Sequence, residues 1–355
     1  MKLTVSVYET MTGDHCLDIT AAVVSKSWPC RLNGQGRGRF VIKLARISPD
    51  PAVTDVLLKE RARMIGVHDG TAVGHVGIII DSDWDEANGT LTIDTYEART
   101  YWTWRMTAGV NNIHAGDLKA TGLSASGYVR RVVQRSMGWD GWQMPIDPPG
   151  DGSGGWVLDV DWFDFRYLED IIQDIERTGY EVLLEPYLTD TGVRFRTRVA
   201  KPVTSGEMDL PASTMKTAIP KLKVKRSASR QVTGVLALGN GSGTDSLIAW
   251  QGDFAAEGIP VADVVRNEPD VKRAVTLQGV ADNEFAENRR PTEQWSFPIM
   301  LDDVVTLTRI RLGRILHLDV RGSVRISDGR YPMRVIALTG GDANKITMEV
   351  QPYGS

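Results

Sequence analysis

Three glycines, at positions 34, 36 and 38, lie in the stretch SWPCRLNGQGRGRFVIKLAR and could in principle bind an anion. A dinucleotide site needs the spacing G-x-G-x-x-G between a strand and a helix whose N-terminus meets the pyrophosphate. Here the spacing is G-x-G-x-G, and the alternating Phe40, Ile42 and Leu44 predict a strand. No phosphate loop of the form G-x-x-x-x-G-K-[ST] occurs in the sequence. The glycines therefore predict a turn before a strand.

Metal-ligating residue types are present without a ligating pattern. Asp81, Asp83 and Asp85 match the first three ligands of a calcium loop, but Glu86 and Thr92 occupy the positions of its glycine and glutamate. The five histidines are scattered, with no H-E-x-x-H motif. We therefore expect a solvated hairpin tip, no metal site and no cofactor.

Nucleophilic chemistry has little support. His15 and Cys16 are adjacent, so on a strand they point to opposite faces and cannot act as a base and thiolate pair. No G-x-S-x-G elbow is present. The only other cysteine is Cys30, and the sequence leaves open whether the two pair. We predict no catalytic residue.

A glycan site is the alternative that the aromatic residues keep open. Trp156 and Trp162 lie near Asp159, Asp161 and Asp164, whose carboxylates could cleave a glycosidic bond while the rings stack on a sugar. The last two carboxylates are better explained as caps of a helix, with the aromatic rings packed beneath it.

A second aromatic pair belongs to the same alternative. Trp102 and Trp104, two residues apart in YWTWR, are predicted to share one face of a strand. They would be core residues if buried and a binding surface if exposed.

The composition is that of a globular protein, and the length predicts more than one hydrophobic core. With 355 residues, 42% hydrophobic and 24% charged, we expect two or three domains. No apolar run of membrane-spanning length or signal peptide is evident, which predicts folding in a cytoplasm without membrane insertion. The net charge of -4 gives no general signal for nucleic-acid binding.

Charge is unevenly distributed along the chain. Residues 140–190 carry 13 acidic side chains and two arginines, whereas residues 215–230 carry six basic side chains and no acid. Such segments are solvated faces or complementary subunit contacts.

The elements that must position these residues are mainly strands. Residues 1–98 alternate as strands, with a hairpin turn at Asp69-Gly70, and predict a small antiparallel barrel or sandwich. Residues 99–215 predict an α/β domain with helices near 124–137 and 164–178. Residues 216–355 return to strands and predict a second barrel, although strands from 219–252 could complete the first.

The order of these features resembles the minor tail proteins of long, non-contractile-tailed phages (siphophages), especially those of actinobacteria. The family pattern has a strand ending in tryptophan, a glycine turn, an f-x-l-x-l strand and a v-x-x-d-G-x-x-x-G-x-i hairpin. In this sequence the matching positions are Trp28, Gly38, Phe40, Ile42, Leu44, Val67, Asp69, Gly70, Gly74, Gly77 and Ile79. The helix in LEDIIQDIERTGYEVLLEP and the strand-rich C-terminal part also resemble this family.

The resemblance implies a baseplate hub without enzymatic activity. In such a hub, two tail-tube-like barrels and an intervening domain form a trimeric, pseudo-hexameric ring at the virion tail tip, and DNA passes through it. The implied partners are a distal tail protein or tube ring above, with tape-measure, fibre or other tail-tip proteins beyond. On this basis, subunit contacts are predicted at Arg37, Arg39, Lys221, Lys223 and Lys225.

Overall fold

A computed structural model describes residues 3–32, 36–109, 112–138, 144–209, 222–253, 258–303 and 305–354. The chain is mainly β, with 44% strand and 20% helix, and this fold class was predicted. The strands are β1 Thr4–Glu9, β2 His15–Asp18, β3 Val23–Arg31, β4 Arg37–Ile42, β5 Arg63–His68, β6 Val73–Asp85, β7 Thr90–Glu97, β8 Leu118–Leu123, β9 Ile146–Asp147, β10 Trp156–Val160, β11 Glu181–Leu188, β12 Val193–Ala200, β13 Glu207–Asp209, β14 Lys223–Ser227, β15 Gly234–Leu238, β16 Ile248–Gly252, β17 Asp263–Asn267, β18 Thr292–Met300, β19 Ile315–Val320, β20 Gly329–Gly340 and β21 Lys345–Pro352. The helices are α1 Pro51–Leu57, α2 Tyr101–Trp104, α3 Ala125–Met137, α4 Leu168–Glu176 and α5 Ala274–Asn288.

Thirteen strands form one large sheet in the order β14-β18-β21-β20-β3-β4-β7-β6-β5-β1-β2, with β19 also paired to β20 and β13 paired to β19. Within the described ranges, no pairing closes either the N-terminal or the C-terminal strands into a barrel, so the predicted two-barrel arrangement is not shown. The strands of 219–252 do not pair with the N-terminal ones. Instead, β14 pairs with β18, while β15 pairs with β16 and β17.

The N-terminal and C-terminal strands meet where β3 pairs with β20, from Trp28 opposite Gly340 to Arg31 opposite Ala337. Trp28 is completely buried at this junction. One hydrophobic core contains N-terminal side chains such as Phe40 and C-terminal ones such as Leu338. The two strand sets are therefore built on a shared core.

The other face of the N-terminal strands is also covered. Met64 and Ile78 point away from the shared core into a second one, which they form with α3, α4 and β12. Helix α3 begins with Ser124, whose hydroxyl accepts the N–H of Gly127 at 3.0 Å, and α4 buries Leu168, Ile171 and Ile172. These two helices correspond to the predicted ones.

A smaller unit consists of β15, β16 and β17 with α5 on one face. Its own core includes Val235, Ala237, Leu277 and Phe285. No helix in the described parts of the chain is both long and apolar enough to cross a lipid bilayer.

Candidate functional site

The glycine turn joins β3 to β4, and a carboxylate holds both of its ends. Glu97 Oε2 accepts the N–H of Gly36 at 2.8 Å, and Oε1 accepts that of Arg31 at 3.4 Å. In return, the Glu97 N–H donates to the Gly36 carbonyl at 3.1 Å. Residues 33–35 lie outside the described ranges, but the strand predicted after the turn is present. The backbone donors of this turn are therefore occupied by a side chain of the protein itself.

Burial changes the titration of the groups around the turn. It raises the pKa of Glu97 to about 7, against the effect of the two backbone donors. It also raises the pKa of the Cys30 thiol and lowers that of His75 to about 4. His75 Nδ1 lies 2.7 Å from the Pro29 carbonyl, so the neutral ring donates its Nδ1 proton there. No sequence motif marks this cluster, because its members come from separate strands.

Arg37 and Arg39, predicted as subunit contacts, are bound within the chain. Their guanidinium groups lie 2.6 Å and 2.9 Å from the Asp94 carboxylate. The hydrogen bond from Arg39 is the main cause of the lowered pKa of Asp94, to which Arg37 also contributes. Both arginine side chains remain more than half exposed, at 51% and 60%. Their role in a subunit contact stays a prediction.

The predicted basic contact lies at one end of the large sheet. Lys223 and Lys225 are exposed on β14, the terminal strand of the sheet order, and Arg226 pairs with Glu293 at 2.7 Å. Lys221 lies outside the described residues. Within those residues, β18 is the one strand that pairs with β14. The outer edge of β14 is thus a basic backbone edge.

The opposite end of the sheet is β2, which pairs with β1 on one side. Beside it, α1 begins at the cap residue Asp50 and carries Val53 and Val56, both at least half exposed. A shallow groove of about 440 Å³ runs between Cys16 on β2 and these valines. The sequence analysis missed α1, although Asp50-Pro51 is a typical start of a helix.

The tryptophans of the glycan alternative fall into different environments. The prediction of a strand at 102 and 104 is wrong, because the chain turns directly after β7 and Tyr101–Trp104 forms α2. Trp102 is completely buried in the second core. Trp104 is partly buried, with the Arg61 guanidinium 4.6 Å from its ring centre. Trp102 is therefore out of reach of a ligand.

Trp156 lines a cleft of about 520 Å³ between the second core and the smaller unit. Its ring lies 5.9 Å from Tyr128 and 6.0 Å from Tyr180, both edge to face. Arg177 crosses the cleft, 3.1 Å from Asp174 and 2.9 Å from Glu268. Desolvation raises the pKa of both carboxyl groups. Asp159 also lines this cleft.

Trp162 is separate from that cleft. It begins a 3-10 turn, Trp162–Asp164, in which the side chains of Asp161 and Asp164 cap each other's backbone. The prediction that these carboxylates cap the helix is therefore wrong in its element: they cap this short turn, whereas α4 begins after Tyr167, which makes no side-chain cap. The ring of Phe163 is 56% exposed and does not pack beneath a helix.

The two cysteines and the possible metal ligands are the remaining candidates. Cys16 and Cys30 are both free thiols. The described ranges contain no group of three or more His, Cys, Asp or Glu side chains placed to hold a metal ion.

Known proteins resemble this chain in structure and not in sequence. No family model and no curated protein matches the sequence. A tail protein from Neisseria meningitidis superposes with a TM-score of 0.61 at 13% identity, covering 100% of this chain and 98% of that one. The chain has the fold of phage tail proteins. The 43 kDa tail protein of prophage MuSo2 from Shewanella oneidensis gives 0.61 at 10% identity, covering 98% of both chains.

A prophage tail protein from Listeria monocytogenes is similar over 98% of this chain and 94% of its own, with a TM-score of 0.51 at 11% identity. The tail-protein fold therefore extends over the whole chain. It includes the middle helices and the small unit as well as the large sheet.

Proposed function

We propose that this protein is a structural component of a phage tail tip, where three copies form a pseudo-hexameric hub ring that continues the tail tube. The observation that carries the proposal is the likeness to tail proteins along the full chain. The presence of two strand sets on one core supports it, because three copies would then present six related units to a sixfold tube.

The open end of the large sheet at β14 supports a head-to-tail assembly. A contact that uses two different surfaces closes into a ring when its rotation allows, and it pairs sheet edges that would otherwise be open. The basic edge of β14 is one such surface, because β18 is the one described strand that pairs with it. The net charge of -4 suits a ring through which DNA slides without being held.

Native mass measurement tests the trimer. We expect a species of three times 39.1 kDa and a hollow axis in electron micrographs. Lys223→Glu with Lys225→Glu should weaken assembly, whereas Arg321→Glu with Arg325→Glu makes the same charge change on an exposed loop and should not. A chain that stays monomeric at high concentration and does not join tail rings contradicts the proposal.

The finer assignments belong to the same proposal. In a virion of the siphophage type, the ring would lie below a distal tail protein or tube ring and above tape-measure, fibre or other tail-tip proteins. Added tube protein should then bind one face of the ring, and loss of this chain should yield tails that lack a tip.

One observation favours a second candidate, a glycan-binding role. The cleft beside Trp156 has the size and the aromatic wall of a ligand pocket, with the Asp159 carboxylate on its rim. Cell-wall oligosaccharides at millimolar concentration should then quench Trp156 fluorescence, and Trp156→Phe should remove the change. Failure of a broad glycan panel excludes this role.

A further inference from the structure

The loop before α4 displays aromatic side chains to solvent. Phe163 is 56% exposed, Phe165 45% and Tyr167 43%, and all three follow Trp162. We call Trp162, Phe163, Phe165 and Tyr167 the aromatic loop. Clustered exposed aromatic rings on a globular protein indicate an interaction surface.

The aromatic loop is held rigidly by its neighbours. The Trp162 N–H donates to Asp117 at 2.9 Å, and its ring stacks edge to face on His114 with 4.2 Å between the ring centres. A Cβ on Gly116 would lie 2.8 Å from the Trp162 Cβ, so the two segments are in close contact. The Phe163 and Phe165 rings lie 5.6 Å and 6.2 Å from that of Trp162. A loop ordered in advance loses little entropy when it binds.

Phe165 adopts a left-handed backbone conformation, with φ of 49°. A bulky residue is disfavoured there by about 1 to 2 kcal/mol, yet its side chain remains 45% exposed. Its ring packs edge to face on Trp162 and is otherwise open to solvent, so nearly half of this strained residue is available to a second surface.

The surroundings of the aromatic loop are acidic. Asp117, Asp161 and Asp164 lie beside it, and Asp117 accepts the backbone N–H of Trp162. The nearby cations are already paired, Lys119 with Asp161 at 2.5 Å and Arg166 with Asp174 at 2.9 Å. The fitting partner therefore combines positive charge with apolar stems, as exposed lysines do. On β14 of this chain, Lys223 and Lys225 are exposed two residues apart, so they project to the same side with a spacing of about 7 Å.

We propose that the aromatic loop of one subunit binds the β14 edge of a second copy, with the lysine stems on the rings and the ammonium groups among the carboxylates. This inference rests on the proposed ring and names one of its contacts. The acidic segment 140–190 and the basic strand β14 would then be the two sides of one subunit contact.

Cross-linking between two variants tests the contact. Phe163→Cys and Lys223→Cys chains, one carrying a size tag and both carrying Cys16→Ser, are mixed and treated with a short bismaleimide. We expect a tagged-plus-untagged product, and at least tenfold less of it when Val324→Cys, on a fully exposed loop, replaces Lys223→Cys.

The second measurement compares the self-association of the wild type with that of a variant that lacks the Phe165 ring. Phe165→Gly suits the left-handed backbone, so the chain should keep its melting temperature within a few degrees while its self-association constant falls at least tenfold. A wild-type trimer without the cross-link, or one unaffected by Phe165→Gly, overturns this contact and leaves the ring standing. A wild-type chain that remains monomeric overturns both.

Discussion

At the scale of single residues, the most informative group is the Glu97 carboxylate inside the glycine turn. Backbone N–H groups at both ends of a turn form the kind of nest that binds anions elsewhere. Here the chain supplies the hydrogen-bond acceptor itself, the Glu97 carboxyl at the end of β7. The turn therefore resembles a phosphate-binding loop in sequence, but its backbone N–H groups already donate to Glu97.

Titration of Glu97 should appear in the stability of the protein. Its pKa is about 7 in the folded chain against 4.5 as the ordinary value, so between these pH values the folded state holds a proton that the unfolded state has lost. This contribution to the free energy of unfolding is present below pH 4.5 and is lost as pH rises to 7, by up to about 3 kcal/mol. His75 acts oppositely, because its folded pKa of about 4 makes acid destabilising below its ordinary 6.5.

Glu97→Gln separates the two effects. Urea unfolding from pH 4.5 to 8 should show wild-type stability falling relative to the variant as pH rises, because His75 and every other titrating group are common to both proteins and cancel in the difference. A difference between the two proteins that stays constant over this range would show that Glu97 is ionised throughout.

At the scale of elements, the β3–β20 pairing joins strands some 300 residues apart in sequence. A Cβ on Gly340 would lie 2.1 Å from Trp28 Cζ2, so Gly340→Ala forces the indole out of a filled core. We expect a loss of about 2 to 3 kcal/mol in unfolding free energy by denaturant titration. Gly341→Ala is the control, since its nearest neighbour is Lys26 O at 3.7 Å, and it should change stability little. If the two variants lost the same unfolding free energy, the Trp28 indole would be able to move aside for the added methyl group.

The glycine turn gives a second prediction at this scale. A Cβ on Gly36 would lie 2.7 Å from Pro29 Cγ and 3.2 Å from Glu97 Cδ, so Gly36→Val should lower the melting temperature and impair assembly. Gly155→Val, where a Cβ meets nothing within 4 Å, is the matched control. Calorimetry should find no nucleotide affinity in the wild type. Measurable binding of a nucleotide contradicts the turn interpretation.

Local signals predicted much of the fold and little of the surface. Ser124 and the apolar spacing behind it mark α3, and Asp69-Gly70 marks the β5–β6 hairpin, because caps and turns depend on neighbouring residues. The pairing of β3 with β20 depends on residues far apart, which no local pattern reports. For the same reason, the sequence predicts aromatic rings packed beneath a helix where the structure has the exposed rings of the aromatic loop.

At the scale of the whole molecule, the shared core implies that the N-terminal and C-terminal strands unfold together. Phe40 and Leu338 belong to one hydrophobic cluster, whereas the unit of β15, β16, β17 and α5 has its own. Native-state hydrogen exchange should therefore give β5 and β21 amides the same opening free energy and β15 amides a lower one.

Truncation tests the same dependence directly. A fragment of residues 1–215 lacks the C-terminal side of the shared core, so it would expose the apolar face of β1, β4 and β5 and should be unfolded or aggregated by circular dichroism and light scattering. Replacement of residues 231–288 by a short linker removes a unit with a core of its own and should leave the exchange protection of β5 and β21 in place. If the 1–215 fragment folds with native strand content, the N-terminal strands are an independent domain. The ring would then consist of separately folded halves instead of subunits that are each stabilised by one continuous core.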